Sequence, residues 1–116
     1  MGTRANITVY SAKYGEPKKF KKVAILYNHW DGYIEGGLGD SLKEAFKDCQ
    51  GDRDVFKCLA NMQASGWEWL QFTTGIHGDI EYHYKIYAGF KMHAHDVQPV
   101  KILVRDIWNK KTIKLM

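Results

Sequence analysis

The sequence predicts an α+β fold: an antiparallel sheet of about five to six strands with two consecutive helices packed on one face. Three observations carry that reading. Apolar and polar residues alternate along residues 5–10 and, strictly, along 80–88, the period of half-buried strands. Between these runs the spacing becomes helical, with Leu38, Leu42, Ala45, Phe46 and Cys49 on one stripe and Val55, Leu59 and Met62 on another. An apolar run over 100–105 then restores strand character, so the order is strands, helices, strands. With 116 residues, 45% of them hydrophobic, the chain can bury one core and reads as a single domain over 1–116.

The first strand, 5–10, sets Ile7 and Val9 on one face. Residues 11–17 contain Gly15 and Pro17 and read as a loop. The basic run 18–22 (Lys-Lys-Phe-Lys-Lys) is either a solvated start to the next strand or an edge that meets phosphates. The second strand, 22–30, is expected antiparallel to the first. Val23 and Ile25 take one face and Ala24 and Leu26 the other, which marks an inner strand. After the loop 32–39 a helix is predicted over 40–49, with Ser41 and Glu44 as a capping box and Gly51 as its stop. A second helix over 52–64 starts at Asp52 or Asp54 and closes at Gly66. Residues 67–74 are rich in strand formers and 75–79 make a turn. Along 80–88, Ile80, Tyr82, Tyr84 and Ile86 oppose Glu81, His83, Lys85 and Tyr87. Short extended pieces are expected over 90–95 and 112–115.

Seventeen basic residues against 13 acidic ones give a formal charge of +4, a balance that suits an anionic partner. No apolar run approaches the roughly 18 residues of a membrane span, and no membrane association is expected. Residues 1–6 (Met-Gly-Thr-Arg-Ala-Asn) offer neither a signal-peptide core nor the Ser or Thr that myristoylation wants where Asn6 stands. Cys49 and Cys58 form no Cys-x-x-Cys and read as free thiols in a reducing compartment. The expectation is a soluble cytoplasmic protein without a cofactor.

The most distinctive stretch is 26–33, Leu-Tyr-Asn-His-Trp-Asp-Gly-Tyr, followed by the glycine-rich 34–39. If the strand continues through it, Tyr27, His29 and Asp31 share a face, with Asn28 and Trp30 on the reverse. This stretch resembles a family of small phage and bacterial proteins of unassigned role, whose hallmark is Tyr-Arg-His-Trp/Ser-Asp-Gly-Tyr-Pro. Their opening Arg-Ala-x-Ile is matched by Arg4, Ala5 and Ile7, and their downstream Gly-Asp-Ile-Glu-Tyr-x-Tyr by Gly78, Asp79, Ile80, Glu81, Tyr82 and Tyr84. Asn28 stands where the family has Arg, and Ile34 where it has Pro. The resemblance implies a viral or mobile-element origin, with action in host cytoplasm against a host defence. It implies no chemistry.

Four places can carry a site. Tyr27, His29, Trp30, Asp31 and Tyr33 can bind a phosphate, with Asp31 orienting the imidazole of His29, or they can simply brace an Asp-Gly turn. Gly36, Gly37 and Gly39 before the helix offer amides to an anion, but no Lys-Ser/Thr follows, and a turn is the simpler reading. His77, Glu81 and His83, with Asp79, can form a His/carboxylate cluster if their strand neighbours the one bearing His29, or they are solvated strand polars. His93 and His95 lack a third metal ligand, so no metal site is expected. The four tryptophans and seven tyrosines exceed what a small core uses and suit stacked bases or a homo-oligomer interface.

The leading expectation is a phage-type accessory protein that binds a small anionic, nucleotide-like ligand without turnover. One alternative is a phosphodiesterase or nuclease using His29 with Asp31, His77 or His83. The other is an inhibitor that binds a host defence protein, or nucleic acid through 18–22 and 110–114.

Overall fold

The computed structural model describes residues 3–13, 16–49, 52–68, 70–76, 78–89 and 100–116. Its elements are β1 (Ala5–Lys13), β2 (Glu16–Asn28), α1 (Leu38–Phe46), α2 (Asp52–Ala64), β3 (Gln71–Thr73), β4 (Tyr82–Ala88), β5 (Lys101–Asp106) and β6 (Lys111–Lys114). The strands form one sheet in the order β3-β2-β1-β4-β5-β6. The α+β expectation holds. The sheet is mixed rather than purely antiparallel, because β1 and β4 run parallel while the other neighbours are antiparallel.

Ala5, Ile7 and Val9, Leu26, Tyr84 and Ile86, and Ile102 and Val104 are buried on one sheet face. They join Leu38, Leu42 and Phe46 of α1 and Val55, Leu59 and Met62 of α2 in a single core, so both helices lie on that face. Burial alternates along β4 and β5: Tyr84, Ile86, Ile102 and Val104 are buried, while His83, Lys85, Tyr87, Leu103 and Arg105 are half-buried. Two faces in unlike environments produce that alternation. No helix among the described residues is long and apolar enough to cross a membrane. Cys49 is buried beyond α1 and Cys58 half-buried in α2, and neither forms a disulfide.

Several local expectations change. The loop expected over 11–17 is largely strand, since β1 runs on to Lys13 and β2 already starts at Glu16 and ends at Asn28, not over 22–30. The β1–β2 register slips by one residue between Val9 and Tyr10, so Val9 pairs with Ala24 and Tyr10 with Lys22. The extra residue is Val23, which a bulge turns toward the helix side. There it lines a hollow with Val9, Val55 and Phe56 instead of sharing the face of Ile25. Helix α1 begins at Leu38, two residues before the predicted start, and Gly37 occupies the N-cap position with no side-chain cap. The Ser41/Glu44 capping box therefore does not form. Backbone carbonyls do its work: Leu38 N–H donates to Asp31, Gly39 N–H to Tyr33 and Asp40 N–H to Ile34. The strand expected over 67–74 shrinks to β3, and the extended piece expected over 90–95 lies outside the described residues.

Candidate functional site

Strand β2 ends at Asn28, and with it ends the alternation that would have aligned Tyr27, His29 and Asp31. Asp31 adopts a left-handed backbone conformation, φ 55°, which short polar side chains tolerate and which turns the chain. The expected His29–Asp31 pair is replaced by two tyrosine-linked pairs. The Tyr27 hydroxyl and His29 Nδ1 share a 3.0 Å hydrogen bond. The Tyr33 hydroxyl donates to Asp31 Oδ1, also at 3.0 Å, and that bond, with the carboxylate charge, raises the Tyr33 pKa. Trp30 packs edge-on against His29, ring centroids 4.8 Å apart, and remains 47% exposed. Asp31 lies instead with Asn28 and Trp30, lining a hollow of about 120 Å³ closed by Gly66 and Trp67. Among the described residues the lining carries a carboxylate and no cation, an environment unfavourable to an anion.

The rest of the motif is scaffold. Gly32 N–H donates to the Thr3 carbonyl at 2.8 Å, and the Gly32 carbonyl accepts from the Tyr84 hydroxyl at 2.7 Å. The amide of Gly36 donates to Asp40 Oδ2 at 2.7 Å. With the amides of Leu38, Gly39 and Asp40 also engaged, the glycine-rich loop presents no free row of donors to a phosphate. A Cβ on Gly37 would lie 2.5 Å from the Asp31 carbonyl oxygen, and one on Gly39 2.5 Å from that of Ile34. These glycines let backbone touch backbone.

His83 is on β4, and β1 stands between β4 and β2, so the His/carboxylate cluster spanning His29 and His83 does not form. The His83 Nε2 and Thr8 hydroxyl share a 2.7 Å hydrogen bond. Burial, then the charge of Lys85, pushes the His83 pKa below the ordinary histidine value. Glu81 precedes β4, and its N–H donates to the Arg4 carbonyl. Asp79 forms a 2.8 Å ion pair with Arg4. His77, His93 and His95 lie outside the described residues. Among the described residues no group of three or more His, Cys, Asp or Glu side chains is arranged to hold a metal ion.

The structure assembles a second constellation on the sheet face away from the helices. Strand register sets Lys22 (β2), Tyr10 (β1), Tyr87 (β4) and Lys101 (β5) side by side in one row. The two tyrosine rings stack, centroids 4.8 Å apart and planes 8° from parallel, and Phe20 meets Tyr87 edge-on at 5.3 Å. One row along, Lys85 pairs with Leu103 and Leu103 with Lys114. One further, His83 pairs with Arg105. Among the described side chains at sheet positions on this face, none is a carboxylate.

The basic runs 18–22 and 110–114 contribute Lys22 and Lys114 to this face. The alternation of 80–88 already set Lys85 and Tyr87 together. What went unread was Tyr10 beside Tyr87, because that adjacency comes from the parallel β1–β4 pairing, which no local pattern encodes. A cleft of about 360 Å³ between α1 and α2, lined by Glu44, Cys58, Asn61 and Trp67 among others, also had no sequence signal.

No family model matches this chain, and neither a curated protein nor a solved structure matches it.

Proposed function

We propose that this protein is a non-catalytic binder of a nucleotide-like anion, and that the ligand lies on the sheet face away from α1 and α2. The row of Lys22, Tyr10, Tyr87 and Lys101 carries the reading. It sets an aromatic pair, on which a base can stack, between two exposed cations that can take a phosphate. The 26–33 motif then serves the fold, since the hollow at Asn28, Trp30 and Asp31 holds a carboxylate and, among the described residues, no cation. Binding without turnover is supported by the histidines: His29 and His83 each hydrogen-bond a hydroxyl rather than a carboxylate, so neither is set up as an oriented general base. The resemblance to phage proteins makes sequestration of a defence-related ligand the setting we propose.

The test is calorimetry against a panel of nucleoside mono- and polyphosphates, with chromatography of each ligand after incubation. The expected result is saturable binding by at least one member, ligand recovered unchanged, and binding weakened at least tenfold in the Lys22→Gln/Lys101→Gln double variant. Both side chains are exposed, so the variant keeps the fold. Absence of binding across the panel and to oligonucleotides, or steady conversion of a bound ligand, overturns the reading.

A further inference from the structure

We infer that the occupant of this face is a single strand of nucleic acid rather than a single nucleotide. The inference rests on the reading above and narrows it. The positive side chains are spread too widely for one nucleotide. Three strand spacings, about 14 Å, separate Lys22 from Lys101. Lys85 and Lys114 follow one row along and Arg105 another row on, about 13 Å of strand from the tyrosine row. A nucleotide stacked on Tyr10 or Tyr87 brings its phosphate to one of these cations and leaves the others unneutralised. A phosphodiester chain supplies one charge per nucleotide and meets several of them in succession.

The aromatic residues select the unpaired form. Phe20 extends the stacked tyrosines into a three-ring cluster, broader than one base needs. Aromatic rings bind base faces, which a duplex keeps covered and a single strand exposes. Duplex recognition calls for an element that enters a groove, and these side chains rise from a sheet surface. The carboxylates just before β4 do not oppose the strand: Asp79 is bonded to Arg4, and both Asp79 and Glu81 lie beyond the Tyr82 end of β4, away from the tyrosine row.

The experiment is fluorescence anisotropy with the full chain and 5′-labelled oligothymidylates of three, six and twelve nucleotides. Thymidine monophosphate, a twelve-base-pair duplex and phosphatidylserine vesicles serve as competitors. The expected affinity rises at least tenfold from three to six nucleotides. Log affinity should fall with log salt at a slope between about −2 and −3.5, corresponding to three to five phosphates. Tyr87→Leu should weaken the hexamer at least fivefold. Lys85→Gln/Lys114→Gln should flatten the salt slope by about 1.4, which keeps the test intact should Tyr87→Leu fold poorly. If the monophosphate competes as well as the hexamer on a per-molecule basis, the single-strand inference is overturned and the nucleotide-binding reading stands. Equal competition by duplex or vesicles also overturns the inference, and no binding by any nucleotide or oligonucleotide overturns both.

Discussion

The Tyr84 hydroxyl donates a 2.7 Å hydrogen bond to the Gly32 carbonyl, joining the middle of β4 to the Asp-Gly turn 52 residues away in sequence. Tyr84 is fully buried, and burial raises its pKa far above the ordinary tyrosine value, so the hydroxyl stays a donor at every physiological pH. Gly32 in turn donates to Thr3, and a Cβ there would meet the Thr3 carbonyl oxygen at 2.7 Å and the Ala5 Cβ at 2.8 Å. The turn is thus clamped between β1 and β4. Tyr84→Phe preserves the ring and strands the carbonyl. The expected loss is about 1–3 kcal/mol of unfolding free energy, read as a lower urea midpoint at unchanged m-value.

The glycines of 36–39 make a graded prediction. At Gly37 a methyl group would collide with the Asp31 carbonyl at 2.5 Å and with the Tyr33 ring at 2.7 Å, and the backbone carbonyl cannot step aside as a flexible side chain can. Gly37→Ala should therefore destabilise by about 2–3 kcal/mol. Gly36 has open space but a φ of +72°, so Gly36→Ala should cost about 1 kcal/mol through the backbone alone. Gly75 has neither obstruction nor positive φ, and Gly75→Ala should lie within about 0.5 kcal/mol of the parent. Denaturant titrations of the three variants should return that order. Equal effects at 37 and 75 would show that contact with the turn does not set the identity of Gly37.

His83 gives the stability curve an acid limb. Its ring bonds Thr8, and the residue pairs with Arg105 in register and shares its strand face with Lys85; burial first and the lysine charge second hold its folded pKa below the ordinary 6.5. The unfolded chain then binds the extra proton more readily than the folded one. The stabilising contribution is full above about pH 6.5 and is lost as the pH falls through 6.5 to the depressed folded value, below which the loss levels off. Melting temperature measured from pH 8 to pH 5 should decline across that window. His83→Gln, which can still hydrogen-bond Thr8, should remove this part of the decline while leaving the curve above pH 7 nearly unmoved.

Particular residues show what the sequence made legible. The strict alternation of 80–88 correctly separated Tyr84 and Ile86 from His83, Lys85 and Tyr87, because a face buried under α1 and α2 and a less buried face opposite impose a period of two. Helical spacing likewise identified Leu42, Phe46, Val55, Leu59 and Met62 as core. Errors arose where backbone departs from the ideal period. A bulge at Val23 reverses its face, and the alternation expected through Asp31 stops at Asn28, where β2 ends ahead of the left-handed turn. Helix α1 starts ahead of the position its sequence predicts because its amides are capped by turn carbonyls, which leave no side-chain signature. The stacked tyrosines follow from no local pattern for a different reason: neighbouring strands are chosen by long-range packing, and Tyr10 and its β4 partner Tyr87 are 77 residues apart in sequence.

Asp31 separates a structural from a ligand-binding role for the 26–33 motif. Its backbone sits at φ 55°, where Asn is nearly as comfortable as Asp, Ala is strained and a β-branched residue more so. Its side chain accepts from the Tyr33 hydroxyl. Asp31→Asn should therefore keep the unfolding free energy within about 0.5 kcal/mol, Asp31→Ala should lose about 1 kcal/mol, and Asp31→Val about 2–3 kcal/mol. In the same series the Tyr33 pKa, raised by the Asp31 hydrogen bond and then by its charge, should move back toward 10 once the carboxylate is gone, followed by absorbance near 295 nm during alkaline titration. Nucleotide affinity should not change in Asp31→Asn, because the stacked tyrosines lie toward the other end of β1 from this turn. A large loss of affinity in a stably folded Asp31→Asn protein would move the binding site from the sheet face to the motif.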